Sequence, residues 1–329
     1  MEKYKLKQKE IPVIFHDDSS ASDAFKQKLK MWVLDVLDSN TLTNHLKEIN
    51  VYLEDEGMKE SKIQRIKDQE LKRVHALHNL YKGIVIHTDW CEACYDIKGE
   101  DFFLQGLAAT MTHELVHYVF SEINKSTAKM VRASDVLIKK YKKKYPVFQK
   151  AAFAGMLEVM NAFVNRSVDE GFAQLIDQMK HNQLVFSKAK FEELYANATD
   201  VAEKMRHVLA QAPALDDIDA LEDLLIANVL EVQTYSYAIG LHMIYTLFYF
   251  HETSLEKDVD YVIGLFLDSF GRLTPKKIVK EYSRVMREHD KNPVISYEAT
   301  PYLNLTDMRE AWQVLLKKFT DKNAVSNLI

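Results

Sequence analysis

The sequence predicts an α+β protein that is predominantly helical, with a small sheet on the N-terminal side and a long helical C-terminal part. Its 329 residues include only nine glycines and six prolines, well below the usual shares of about 7% and 5%. Few turn-forming residues favour long helices over a many-stranded sandwich or barrel. Strand-like runs occur in the first hundred residues, and helical periodicity continues almost without interruption from about residue 101.

Three short strands and two helices are predicted in the first hundred residues. The strands cover residues 11–15, 50–54 and 83–88, and the last of these is rich in β-branched residues. The helices cover residues 22–38 and 57–81. Because the second helix is highly charged, we expect one side of it to be exposed.

The whole chain divides into three predicted parts. Residues 1–100 form an α/β subdomain with its edge strand at 83–88, residues 101–182 a metal-binding helical core, and residues 183–329 a helical C-terminal subdomain. No internal repeat and no low-complexity linker is visible in the sequence.

Charge and hydropathy argue against several classes of protein. The net charge of −5 provides no basic field for nucleic acid. The basic run at residues 139–144 is interpreted as the solvated end of a helix, with a partner patch as the alternative. The longest apolar stretch, residues 235–250, is shorter than the roughly 20 residues of a membrane span. Because no signal-like run is present, we expect a cytoplasmic protein, and export without a cleaved signal stays open.

The only cysteines are Cys91 and Cys94, which excludes a disulfide framework. A structural zinc site needs two more soft ligands, and His87 is the only near candidate. A redox motif is expected at a helix start in a thioredoxin-like setting, which is not apparent in this sequence. We therefore expect a loop that carries two thiols near the mouth of a cleft.

A metal-binding pattern occurs at residues 113–117, which read His-Glu-Leu-Val-His. On a helix, His113 and His117 lie on one face, so both imidazoles can bind one ion. Glu114 is then within reach of a water on the metal. A chance match of this kind occurs in roughly 3% of chains of this composition. Gly106 and Thr110 share the face of the histidines, and their small size predicts open space beside them.

A third ligand is expected at Glu170, because a catalytic zinc ion needs three protein ligands and one open position. Glu170 is followed by Gly171 and Ala173, whose small size would permit close packing against the helix of His113. The alternative is an ordinary helix start, where acidic residues are favoured.

Together, His113-Glu114-x-x-His117 and Glu170-Gly171-x-Ala173 resemble the gluzincin branch of the zincin metallopeptidases, without a subfamily being identified. The two motifs and their flanks cover about a third of the chain. The resemblance implies a thermolysin-like core with a small zincin-type sheet above the active-site helix. It also implies one Zn²⁺ per chain, held by His113, His117 and Glu170, with Glu114 as the general base.

In this family the edge strand of the sheet binds the substrate. The resemblance therefore implies that Ile84, Val85 and Ile86, in the strand predicted at 83–88, hold an extended peptide. Many gluzincins also use a tyrosine or histidine before a glycine to stabilise the transition state. Tyr237, three residues before Gly240, fits this description best.

Several alternatives to these assignments stay open. Tyr235 and His242 are the reserves for Tyr237, and the chain has sixteen tyrosines, so a buried tyrosine on an apolar helix is commonplace. His75 and His78 are three residues apart in the charged helix predicted at 57–81. A solvated face is favoured for them over adventitious metal binding.

Two features depart from the family pattern. The 52 residues between His117 and Glu170 exceed the short spacing of thermolysin, which predicts a helical insertion. Gln174 stands where thermolysin-like enzymes have an acidic partner for a histidine, so that supporting role is in question.

The expected function is zinc-dependent hydrolysis of peptide bonds in a peptide or protein substrate. The first alternative is a non-catalytic zinc-binding helical scaffold that retains the fold. The second is a helical interaction protein in which the His-Glu-x-x-His match is accidental. A deformylase-like site is disfavoured, because the glycine-flanked cysteine motif of that family is absent from the sequence.

Overall fold

The structure is a computed structural model that describes residues 1–57, 59–67, 76–144, 151–181, 183–214, 220, 223–224, 235–251 and 258–319. The chain forms two compact units. The first contains residues 1–123 and 176–181, and the second contains residues 124–175 and 182–329. The helix that carries His113 belongs to the unit of the sheet, whereas the sequence-based division separates the two at residue 100.

A five-stranded mixed sheet organises the first unit. Its strands are β1 (Glu2–Lys5), β2 (Pro12–Asp18), β3 (Ile49–Glu54), β4 (Ala76–Asn79) and β5 (Gly83–His87). Their spatial order is β1-β2-β3-β5-β4. The three inner strands are parallel, and the two outer strands run antiparallel to their neighbours.

The strand predicted at the edge of the sheet is an inner strand. Residues 83–88 contain β5, as predicted, but β5 lies between β3 and β4. The edge position belongs to β4, at residues 76–79 of the stretch predicted as a helix over 57–81. The helix prediction is wrong there, because β4 gains its conformation by pairing with β5, a tertiary contact that local charge density does not reveal.

A tight turn connects β4 to β5. The side-chain oxygen of Asn79 accepts a hydrogen bond from the Tyr81 N–H at 2.9 Å, as in an Asx turn. Gly83 follows with a φ of 135°. A Cβ at this position would lie 2.4 Å from the carbonyl oxygen of Asn50 on β3. Glycine therefore lets the hairpin approach the inner sheet.

The helix that carries the metal motif packs against both the sheet and its neighbouring helices. The described helices of the first unit are α1 (Asp23–Ser39), α2 (Glu60–Lys67), α3 (Thr88–Lys98) and α4 (Glu100–Ile123). Helix α4 contacts β4, β5, α1 and α3. Buried Asn40, at the end of α1, donates a hydrogen bond to the Thr112 hydroxyl at 3.3 Å. This bond anchors the middle of α4, next to His113.

The described part of the second unit is almost entirely helical. Its helices are α5 (Lys125–Lys144), α6 (Ala151–Lys180), α7 (Lys188–Gln211), α8 (Tyr235–His251), α9 (Val259–Asp268), α10 (Pro275–Glu288) and α11 (Leu305–Phe319). Helix α6 is continuous, and its last turn belongs to the first unit. Helix α8 contacts α7 and α10. Two short strands, β6 (Ile295–Ser296) and β7 (Leu303–Asn304), pair in parallel.

The predicted distribution of secondary structure is confirmed, with a small sheet near the N-terminus followed by long helices. Helix α5 lies between His117 and Glu170, where the long spacing predicts a helical insertion. The basic run at residues 139–144 ends this helix, and Lys139, Lys140 and Lys143 are exposed. Among the described helices, none has both the length and the apolar character needed to cross a membrane.

Two glycines bring α6 and α8 into backbone contact. A Cβ at Gly171 would lie 2.4 Å from the carbonyl oxygen of Gly240, and a Cβ at Gly240 would lie 2.0 Å from that of Ser167. Such distances are shorter than any van der Waals contact, so both positions need glycine. The small size of Gly171 is therefore needed for its contact with α8.

Candidate metal centre

Helix α4 carries the metal motif in a buried stretch. Thr110, Met111, Thr112, Leu115 and Val116 are buried around the motif. His113, Glu114 and His117 are only 6%, 7% and 8% exposed. Gly106 and Thr110, beside which open space is predicted, are themselves buried.

The two histidines of the motif aim their side chains at a common point. The Nε2 atoms of His113 and His117 are 3.1 Å apart, and the ring planes are inclined by 79°. Two nitrogens bound to one tetrahedral zinc ion at about 2.05 Å would be about 3.3 Å apart. The spacing of these imidazoles therefore matches that of two ligands on one ion.

Glu170 completes a group of three candidate ligands. One ligand atom from each of His113, His117 and Glu170 lies within 4.8 Å of the other two. Two imidazoles and one carboxylate are a donor set that suits Zn²⁺. Glu170 lies well inside α6 rather than at a helix start, so the ordinary-helix-start alternative does not apply.

Glu114 contacts the edge strand of the sheet. Its Oε2 atom accepts a hydrogen bond from the backbone N–H of His78 on β4. The imidazole of His78 lies nearly parallel to that of His117, with 6.4 Å between ring centroids, and 5.3 Å from the ring of Tyr118. The backbone and the side chain of His78 therefore both lie beside the motif.

His78 is the residue of this site that sequence reasoning missed. A solvated helical face is the wrong environment for it, since His78 lies on β4 and is partly buried. The turn-forming pair Asn79 and Gly83, directly before the β-branched run of β5, was the available signal for a hairpin. His75 lies outside the described residues.

The residues predicted to bind substrate are not placed for that role. Ile84, Val85 and Ile86 are buried and lie on β5, which pairs with β3 on one side and β4 on the other. Their backbone groups have no open side on which an extended peptide could pair. In the described sheet, the edge next to α4 is provided by β4.

Tyr237 lies near the crossing of α6 and α8. It is 37% exposed and is three residues, about one helical turn, before Gly240. Glu170 directly precedes Gly171, the glycine that contacts Gly240. Tyr237 and Glu170 therefore lie within about one turn of the same helix crossing. Gln174, one turn after Glu170 on α6, is partly buried.

The reserve residue His242 lies in an aromatic environment instead. It is fully buried, with the rings of Phe191, Tyr195 and Tyr282 at centroid distances of 5.4–5.6 Å. Burial lowers the pKa of His242 to about 3. An imidazole in this position serves packing rather than transition-state stabilisation. The side chain of Tyr235, the other reserve, lies outside the described part of the chain.

The two cysteines belong to the protein interior. Cys91 and Cys94 are buried on α3, so the expected loop near a cleft mouth is corrected to a helix. Burial raises the pKa of the Cys94 thiol, which disfavours the reactive thiolate. Both side chains act as small apolar residues of the core.

Comparison with known proteins adds no relative, since no protein family, no curated protein and no solved structure matches this chain.

Proposed function

We propose that this chain is a zinc-dependent peptide-bond hydrolase of the zincin type, in which His113, His117 and Glu170 hold the ion. The observation that carries the proposal is the convergence of these three ligand atoms within 4.8 Å. An accidental sequence match would not require a carboxylate from a distant helix beside both histidines. The packing of α4 against the edge strand β4 adds support, because the zincin fold has the same layering.

Bound zinc would lower the pKa of a coordinated water towards about 7 and polarise the substrate carbonyl. Glu114 is adjacent to the first ligand and acts as general base. Its carboxylate accepts the proton of the attacking water and then transfers it to the leaving amine. Tyr237 is the residue assigned to donate a hydrogen bond to the developing oxyanion.

The substrate in this proposal is an extended peptide that lies along the outer edge of β4. The role assigned to Ile84, Val85 and Ile86 therefore moves one strand outward. Leu77 on β4 and Tyr81 in the following turn are 39% and 57% exposed. They offer apolar surface to the side chains of such a peptide. Cytoplasmic residence of the enzyme stays a prediction.

The proposal is tested by Glu114→Gln, with Glu122→Gln, an exposed glutamate on the same helix, as the matched control. Purified proteins are incubated with Zn²⁺ and a mixed peptide library, and new termini are counted by mass spectrometry. We expect Glu114→Gln to retain zinc and lose about 10²- to 10⁴-fold in rate, because only the general base is removed. The control should cleave like wild type.

Two outcomes would contradict the enzymatic proposal. Cleavage by Glu114→Gln at nearly the wild-type rate would remove Glu114 from its role. A wild-type chain that binds zinc stoichiometrically but cleaves no peptide would favour the non-catalytic scaffold.

A further inference from the structure

We propose that Glu114 and an incoming extended peptide compete for the same donor, the backbone N–H of His78, so that substrate pairing with β4 releases the general base. This inference rests on the proposed function, because it assigns a resting state to the same site. In the structure, the N–H of His78 donates to Glu114 Oε2. The carboxylate therefore occupies a position on the strand edge that a peptide carbonyl would use.

The strand pairing of the hairpin explains why the N–H of His78 is available to Glu114 rather than to β5. In an antiparallel pair, residues alternate between those whose N–H and C=O face the partner strand and those whose groups face away. His78 is opposite Ile84, and its N–H reaches Glu114 on α4 instead of β5. The outward-facing backbone groups of β4 are thus those of His78 and its alternate neighbour Ala76.

An added strand pairs with such outward-facing groups. Strand addition derives its affinity from main-chain hydrogen bonds at a sheet edge, and native proteins protect exposed edges with charged side chains that face inward. Glu114 protects β4 in this way, although it is also the proposed base. A hydrogen bond from an amide to a carboxylate is charge-assisted. A peptide must therefore displace it, at an equilibrium disadvantage of roughly ten- to a hundredfold.

Peptide binding and catalysis are thereby coupled through one hydrogen bond, from the His78 N–H to Glu114 Oε2. Without a bound peptide, Oε2 of Glu114 accepts the hydrogen bond from the His78 N–H on β4. When a peptide carbonyl accepts from His78, the carboxylate is released next to His113 and the scissile bond. The base then becomes available only when an extended chain lies along the strand, which favours unfolded or flexible segments as substrates.

The test measures peptide binding by the full-length chain in the presence of a chelator, so that no peptide is cleaved. The probe is a fluorescein-labelled, end-blocked heptapeptide of alternating valine and threonine, residues with high strand propensity. We expect Glu114→Ala to bind it at least fivefold more tightly than wild type, with Glu114→Gln between the two because an uncharged amide oxygen is a weaker acceptor. Glu122→Ala should bind like wild type.

Hydrogen exchange of the His78 amide provides a second reading that needs no ligand. Without peptide, this amide should exchange at least tenfold faster in Glu114→Ala than in wild type, and the probe should restore its protection. Equal exchange rates in both proteins, equal or weaker probe binding by Glu114→Ala, or binding to neither protein would overturn the proposal. A chain that passes this test but contains no zinc would contradict the proposed function alone.

Discussion

His242 is a neutral imidazole in an aromatic interior. Its Nε2 atom has no hydrogen-bond partner among the described residues, and the tyrosines that face it, Tyr195 and Tyr282, have pKa values raised by burial. These phenols stay neutral at acidic pH, so no nearby anion in this ring cluster compensates a charge on the imidazole. Protonation of His242 therefore opposes folding.

This environment predicts acid sensitivity of the folded state. The pKa of His242 is about 3 in the folded chain and about 6.5 in the unfolded chain. Its contribution is therefore fully present above pH 6.5 and is lost as the pH falls towards 3. The loss between pH 6.5 and pH 5 amounts to about 2 kcal/mol.

Urea unfolding at pH 6.5 and pH 5 measures this effect. His242→Phe keeps an aromatic ring without a titrating group and should lose most of the difference between the two pH values. His207→Gln, at an exposed position on α7, should retain it. An unchanged pH dependence in His242→Phe would show that other groups control acid unfolding.

At the residue scale, the sequence pattern predicted those site residues whose relative positions are determined by a single helix. His113 and His117 are four residues apart on one helix, so their spacing alone predicted a shared face with Glu114 beside the first of them. Glu170 needed a second motif to be identified. His78 could not be found in this way, because its position beside Glu114 depends on the pairing of β4 with β5.

The backbones of α6 and α8 approach each other closely where Gly171 and Gly240 meet. Gly171→Ala or Gly240→Ala would place a Cβ within 2.4 Å or 2.0 Å of a backbone oxygen. Backbone cannot move aside as a flexible side chain does, so the two helices must separate. We expect a loss of at least about 1–3 kcal/mol in the free energy of unfolding for either variant.

Gly264→Ala, in the middle of α9, is the matched control for these variants. A Cβ there meets nothing within 4 Å, so alanine should raise stability by up to about 1 kcal/mol through its higher helix propensity. Thermal unfolding of the three variants tests the comparison. Equal stability of Gly171→Ala and Gly264→Ala would contradict the close approach of α6 and α8.

At the element scale, long helices were easier to predict than the short hairpin. Helix α4 buries thirteen of its residues, and its apolar spacing is regular over many turns. Strand β4 has only four residues and follows a highly charged segment. A stretch this short shows too few alternations of apolar and polar residues to be recognised as a strand. The edge of the sheet was consequently assigned to β5, whose β-branched residues are the stronger local signal.

On the scale of the whole molecule, composition predicted the balance of structure but not its grouping. Scarce glycine and proline predicted long helices, which the second unit contains. The association of α4 with the sheet of the first unit follows from its tertiary contacts with β4 and β5, which composition does not reveal. The path of α6, whose last turn belongs to the first unit, likewise has no local sequence signal.

The three candidate metal ligands come from α4 and α6. We would measure zinc per chain by elemental analysis in wild type, Glu170→Ala and Glu203→Ala, the last an exposed glutamate on α7. We expect about one zinc per chain in wild type and Glu203→Ala, and a sharp loss in Glu170→Ala. Wild-type protein prepared with zinc and without chelator that contains none would contradict the metal site, and the peptidase proposal with it.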